Sequence, residues 1–222
     1  MLAPANAAGF NHPMADDTDT SLAAAYALET PEDNRRLYAK WADTYDRDFA
    51  ESHAYVYPQR IAALLSDLGA EGPLLDIGCG TGLVGEATAI RPVDGVDISA
   101  ERLATANGKG AYRNLSEADL TRTLPMPDGA YRALTSTGTF TEGHVGPEAL
   151  EELIRVAAPG AIFVLGVNET VFEKLGFPAA LSSFAVSGAI TAPRYETGAV
   201  YADDAEHAKA DNKFTAAIFK RR

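Results

Sequence analysis

The residues best suited to chemistry lie in one short run, Leu74-Leu75-Asp76-Ile77-Gly78-Cys79-Gly80-Thr81-Gly82-Leu83-Val84-Gly85. Apolar residues suited to a buried strand lead into a glycine-rich turn, and the turn leads into a helical pattern. Glycines at 78, 80 and 82 permit backbone dihedrals closed to other residues and let a ligand approach the main chain. Such a turn also aims the N–H groups of the next helix at whatever sits above the strand end. Asp76 adds a carboxylate at the strand tip, where a bound ammonium group could meet it. The combination fits a nucleotide-like ligand carrying an amine better than a bare pyrophosphate.

More acids follow at regular distances. Pro92 to Ser99 reads as a second strand ending in Asp97, 21 residues after Asp76. Doubly wound folds place the acid that binds ribose hydroxyls near that distance, and a carboxylate accepts two hydrogen bonds from a vicinal diol. Ser99 is better placed than Asp97 to cap the following helix, Ala100 to Ala106. Ile98 would pack on a base. Asp119 comes a further 22 residues on, with Leu120 beside it. Ala130 to Ser136 reads as a fourth strand running into Thr137-Gly138-Thr139-Phe140-Thr141-Glu142-Gly143-His144-Val145. Ligands of doubly wound sheets sit at the carboxyl ends of strands, so this last stretch belongs beside the reacting group. His144 is the best candidate for a general base, its ordinary pKa being about 6.5, and Glu142 is second. As a bare residue His144 reads equally well as a surface or helix-start histidine. His12, His53 and His207 show no metal-ligand spacing with one another or with Cys79, and no metal is expected.

The rest of the chain must carry these groups. Its 222 residues suit one large domain with additions. A hydrophobic content of 46% and a charged content of 23% are ordinary for a globular protein. The net charge of -12 argues against a nucleic-acid substrate, because phosphate binding wants a basic face. The single cysteine, Cys79, precludes an intrachain disulfide and fits a reducing cytoplasm. Within the turn it reads as a packing residue rather than a nucleophile. No apolar run approaches the ~20 residues of a membrane helix, and no signal peptide is legible, so the expected location is cytoplasmic.

Residues 1 to 18 read as a flexible tail and 19 to 70 as an N-terminal helical region. Thr30-Pro31-Glu32-Asp33 is a helix start, and Leu37, Tyr38, Trp41 and Tyr45 form a stripe at helical spacing. Asp43, Asp46 and Asp48, with Tyr55 and Tyr57, would suit a cationic or polar small substrate, though such acids equally form a solvated face. From 71 to 222 the strands and helices alternate as one core. Glu148 to Ala158 reads as a helix, Pro159-Gly160 as the turn before a fifth strand, and Arg194 to Tyr201 and Phe214 to Lys220 as two closing strands.

The run Asp76-x-Gly78-x-Gly80-x-Gly82 resembles motif I of the class I S-adenosylmethionine-dependent methyltransferases. Nicotinamide and flavin fingerprints usually read Gly-x-Gly-x-x-Gly, and Leu83 stands where their third glycine belongs. Trp41-Ala42-Asp43-Thr44-Tyr45-Asp46 resembles the WA-x-x-YD signature upstream of motif I in small-molecule methyltransferases. Together with Tyr55 to Pro58, Gly138 to Val145 and Pro147 to Leu150, it is similar to the Williams–Beuren-region-like group over roughly residues 31 to 170. Members usually carry an acid where this chain has Arg132, a departure at the strand entrance and away from the ligand end.

The resemblance implies an α/β fold: a Rossmann-like seven-stranded sheet, helices on both faces and an N-terminal helical lid. It implies S-adenosylmethionine as cofactor, S-adenosylhomocysteine as product and a small polar molecule as methyl acceptor, with no nucleic-acid or membrane partner; the oligomeric state stays open. Asp76, Gly78, Cys79, Gly80, Thr81 and Gly82 would form the cofactor turn, with Asp97 and Ile98 at the ribose and adenine. Asp119 would receive the adenine amino group, with the neighbouring backbone N–H of Leu120 on the ring. Thr137 would lie near the transferring methyl group. Tyr45 would sit near the methionine end, and His144, Glu142 and Tyr45 are the catalytic candidates. Two rivals are a nicotinamide-dependent oxidoreductase and an S-adenosylmethionine-binding protein without transferase activity.

Overall fold

The computed structural model describes residues 54–141, 145–202 and 212–222. The expected tail, the aromatic stripe and Tyr45 lie outside the described residues, as do Glu142 and His144 and the link from 203 to 211.

Helix α1 (Tyr57–Asp67) opens with Pro58 in its first turn and buries Tyr57, Ile61 and Leu65, one residue per turn. It stops at Gly69, whose φ of 66° closes the end while its N–H and that of Ala70 donate back to Ser66 and Leu65 carbonyls. Strand β1 (Leu74–Ile77) follows, then α2 (Leu83–Ala87), β2 (Val93–Asp97), α3 (Ala100–Gly108) and β3 (Asn114–Glu117). The chain then returns to the middle of the sheet with β4 (Tyr131–Phe140). A 3-10 turn (Pro147–Ala149), α4 (Leu150–Val156), β5 (Ala157–Asn168), α5 (Glu169–Phe172), α6 (Phe177–Val186), β6 (Arg194–Ala199) and β7 (Lys213–Lys220) complete it.

The seven strands lie in the order β3-β2-β1-β4-β5-β7-β6. The first five are parallel, and β7 inserts antiparallel between β5 and β6. Alternating side chains feed two apolar layers. Leu75, Ile77, Phe163 and Leu165 pack on one face with α4 and α6. Leu74, Ile162 and Val164 pack on the other with Tyr57, Ile61 and Leu65 of α1. Full burial of such a side chain stabilises the fold by about 1.5–3 kcal/mol. Because consecutive strands run outward from β1 on one side and from β4 on the other, the order reverses between them. Doubly wound sheets bind their ligands at such a switch point, outside the carboxyl ends of the strands.

Two expectations change. The helix before β5 ends at Val156, because Ala157 already has extended dihedrals. Pro159-Gly160 is not a turn ahead of β5 but part of it. Tyr131 pairs with Ala157 and Ala133 with Ile162, so the extra residues bulge out around Gly160 at φ 81°. The Gly160 N–H donates to the Arg221 carbonyl at 2.9 Å, which holds the bulge. Strand β4 also runs past Ser136 to Phe140, with a second register shift around Gly138 at φ 72°.

Candidate functional site

The turn after β1 closes with Gly78, Gly80 and Gly82 at φ 64°, 54° and 94°, all in the region that side chains rarely adopt. Most of its donors are spent within the protein. The Cys79 N–H donates to the Val96 carbonyl at 3.0 Å and the Gly82 N–H to the Cys79 carbonyl at 2.9 Å. The Gly80 N–H donates to Asp97 Oδ2 at 2.8 Å and the Gly85 N–H to the Tyr112 hydroxyl at 3.0 Å. A phosphate cradle needs such N–H groups free, and here they are used to shape the turn and orient acids. A Gly-x-Gly-x-x-Gly spacing does occur two residues late, at Gly80, Gly82 and Gly85. Spacing alone therefore does not separate the two ligand classes.

The space beside each glycine is also filled from within. A β-carbon on Gly78 would stand 2.1 Å from Thr139 Oγ1, one on Gly80 2.5 Å from Arg102 Nη2, and one on Gly82 2.9 Å from the Tyr112 ring. Thr139 donates to the Ile77 carbonyl at 2.8 Å, fastening the end of β4 over the turn. Arg102 and Tyr112 are the residues that the sequence reading missed; it places Thr139 only as part of the stretch beside the reacting group.

Asp97 ends β2 and is buried. Its Oδ2 accepts from Gly80 N–H and its Oδ1 from Ser99 N–H at 3.0 Å. A carboxylate has about four acceptor sites, so each oxygen retains one for a ligand diol. Ser99 caps α3 by accepting from the Arg102 N–H at 3.2 Å, which frees Asp97 from capping. Arg102 Nη2 reaches within 3.9 Å of Asp97 Oδ2. Ile98 is half-buried beside it.

The segment bearing Asp119 is tied to the same strand end, since the Ala118 N–H donates to the Asp97 carbonyl at 3.0 Å. Asp119 is half-exposed, and its Oδ1 accepts from the N–H and hydroxyl of Thr121 at 2.9 and 2.7 Å. Leu120 buries its side chain in the core, so only its backbone is left for a ligand. Arg155 of α4 pins the loop that follows. Its guanidinium donates to the Leu124 and Met126 carbonyls at 3.2 and 3.0 Å and pairs with Glu152 and Asp128. Glu152 Oε1 in turn accepts the Leu124 N–H at 2.6 Å. Arg155→Ala takes the guanidinium from two carbonyls and two carboxylates at once. It is expected to cost about 1–3 kcal/mol of stability, read as a lowered thermal midpoint, and to weaken adenosine-ligand binding by loosening the Asp119 loop.

Asp76 is fully buried. Its Oδ2 accepts the Tyr112 hydroxyl at 2.6 Å, while Oδ1 has no hydrogen-bond partner among the described residues. Burial pushes its pKa up to about 7; the Tyr112 hydrogen bond works against the rise and the charge of Asp97 adds to it. Burial likewise raises the Cys79 thiol well above its ordinary value, helped by Asp76 and Asp97. A thiol so placed is a packing residue.

Beyond β1, the ends of β4 and β5 are covered by two tyrosines. Tyr57 stacks on Phe214 at 4.2 Å with its hydroxyl over Gly166 and unpartnered among the described residues. Burial raises its pKa; the Gly138 N–H faces the hydroxyl and partly offsets the rise without completing a hydrogen bond. A β-carbon on Gly138 would lie 3.7 Å from the Tyr55 hydroxyl. Thr137 is half-buried on the same strand. Among the described residues no group of three or more His, Cys, Asp or Glu is arranged to hold a metal ion, and no helix is long and apolar enough to cross a membrane.

This donor set fits S-adenosylmethionine. Asp97 has spare acceptors for the ribose, Asp76 has a buried oxygen short of a donor, and four N–H groups of the turn are already spent within the protein.

Comparison with known proteins points the same way. A family model described as a methyltransferase domain matches residues 75–165. Human methyltransferase-like protein 27 is 33% identical over 151 residues, covering 64% of this chain and 60% of that relative; the chain thus spans less than two thirds of its length. A methyltransferase structure from Thermotoga maritima, described as a possible histamine N-methyltransferase, superposes with a TM-score of 0.60 at 15% identity over 85% of this chain and 99% of that one. The [4+2]-cyclase SpnF superposes with a TM-score of 0.62 at 18% identity, covering 88% and 97%. At those identities the likeness is one of fold. From the strand order, the glycine turn and the matching family model, residues 75–165 form a class I S-adenosylmethionine-dependent methyltransferase domain, whose cofactor is S-adenosylmethionine.

Proposed function

We propose that this protein transfers a methyl group from S-adenosylmethionine to a small polar acceptor and releases S-adenosylhomocysteine. The observation that carries the reading is the end of β2. There Asp97 is held by two backbone N–H groups and keeps one acceptor site per oxygen for a ribose diol. Bound there, S-adenosylmethionine supplies an electrophilic methyl group on a sulfonium with a good leaving group. The protein's task is alignment and exclusion of water. In this reading Asp97 and Ile98 hold the ribose and adenine, Asp119 and the Leu120 backbone read the base, and Asp76 meets the ammonium. Gly78, Cys79, Gly80, Thr81 and Gly82 shape the turn, and Thr137 lies toward the reacting end.

The acceptor side is assigned to the carboxyl ends of β4 and β5. The Tyr55 hydroxyl near Gly138 places a polar group beside the buried Tyr57 ring, which suits a small molecule with polar or cationic character. His144 takes a proton from the nucleophile if it arrives protonated, with Glu142 as the second candidate, and Tyr45 is assigned to the methionine end of the cofactor.

A second reading, a binding protein or a catalyst of another reaction, has one observation behind it: a protein described as a cyclase shares the fold. Fold alone does not fix chemistry. The test is calorimetric titration with S-adenosylmethionine, S-adenosylhomocysteine and NAD, followed by single-turnover assays with labelled methyl donor and a panel of small amines, phenols and carboxylates. Micromolar binding of both adenosyl ligands with transfer to one acceptor class supports the proposal. Binding without transfer to any acceptor favours the second reading, and binding of NAD alone overturns both.

A further inference from the structure

Tyr112 sits just before β3, in a slot made by three glycines from three places in the fold. A β-carbon on Gly82, Gly85 or Gly95 would come within 2.9, 2.5 or 3.0 Å of its ring. Its neighbours are clamped. Arg113 donates through Nε and Nη2 to the Asp94 carboxylate at 2.9 and 2.6 Å, and the Asn114 N–H donates to Asp94 Oδ1 at 3.1 Å. The hydroxyl therefore has one location. It accepts the Gly85 N–H at 3.0 Å, which turns its own proton toward Asp76 Oδ2 at 2.6 Å. Asp76 is thereby fixed in rotation, with Oδ1 buried and left without a donor among the described residues. A ring needed only for volume would not require a hydroxyl there, and phenylalanine would strand both the Gly85 N–H and the carboxylate.

We infer that Tyr112 is a positioning residue of the cofactor site, holding Asp76 so that Oδ1 is presented to the ammonium of the ligand's amino-acid end. The inference rests on the reading of this site as one for S-adenosylmethionine. Tyr112 touches no reacting atom; it acts through Asp76.

The test is a double-mutant cycle at pH 8 with S-adenosylhomocysteine as probe, comparing wild type, Tyr112→Phe, Asp76→Asn and the double variant. A second ligand, 5′-methylthioadenosine, lacks the ammonium and carboxylate and is measured by competition. Tyr112→Phe is expected to weaken S-adenosylhomocysteine about tenfold, a loss typical of a hydrogen bond to a charged group, and to change 5′-methylthioadenosine by less than about twofold. The double variant should bind no worse than Asp76→Asn. Equal losses for the two ligands would mean that Tyr112 only supports the fold, and independent losses in the cycle would mean that it does not act through Asp76. Either result overturns the inference while leaving the cofactor reading intact. Failure of wild type to bind either ligand would sink both.

Discussion

Asp97→Asn is expected to weaken S-adenosylhomocysteine about 10- to 100-fold, the arithmetic of one lost hydrogen bond to a charged acceptor at about 1.5–3 kcal/mol. The geometry makes this substitution harsher than its small size indicates. Both carboxylate oxygens already accept from a backbone N–H, Oδ2 from Gly80 and Oδ1 from Ser99. An amide presents one oxygen and one NH2, so in either orientation a donor faces a donor. If Gly80 loses its partner, the turn at φ 54° loses the contact that shapes it. If Ser99 does, the start of α3 shifts. Stability should fall by about 1–3 kcal/mol, or several degrees in thermal midpoint at about 2–4 °C per kcal/mol for a chain of this size. Isothermal titration and a thermal scan read the two effects separately. A variant binding within threefold of wild type would remove Asp97 from the ligand contacts.

The second large effect is one of pH. Asp76 is a buried acid with a pKa pushed up to about 7, against 3.8 for an ordinary aspartate. The groups facing it are the Tyr112 hydroxyl, Asp97 and the Cys79 thiol, with Arg102 near Asp97. The folded protein keeps a proton on Asp76 in the range where the unfolded chain has released it. The contribution to stability is therefore fully present below about pH 4 and is lost as pH rises through about 7, by an amount on the order of 4 kcal/mol. Binding runs the other way. A ligand ammonium favours the ionised carboxylate, so affinity for S-adenosylhomocysteine should be about tenfold weaker at pH 6 than at pH 8, with a proton released on binding. Titrations in buffers of different ionisation enthalpy measure that proton directly. Binding of 5′-methylthioadenosine should be flat across the same range, and Asp76→Asn should abolish the dependence. A dependence that persists in Asp76→Asn would assign it to another group.

These two carboxylates show how the sequence and the structure divide the work. Asp76 and Asp97 stand at the ends of apolar runs, where the alternation of a strand meets a glycine or a helix cap, and both positions are legible from local pattern. So are the capping by Ser99 and the two closing strands. Pro159-Gly160 misled because the pair is a turn signal by composition, while pairing of Ala157 with Tyr131 across the sheet extends the strand past it into a bulge. The helix before it is shortened for the same reason.

What the sequence by itself determined is the succession of strands and helices, the place of the glycine turn and the acids that flank it. These follow from the periodicity of apolar residues and from backbone freedom, both properties of neighbours in the chain. Tertiary structure alone decided what fills the turn and in what state its acids stand. Thr139 lies over Gly78 from 62 residues beyond its acceptor Ile77, and Tyr112 reaches Gly85 and Asp76 across 27 and 36 residues. A missing β-carbon leaves a space that any part of the chain can occupy, and burial sets a pKa only once the surrounding layers have closed. Neither quantity is written in the spacing of residues, because both depend on which distant side chain arrives.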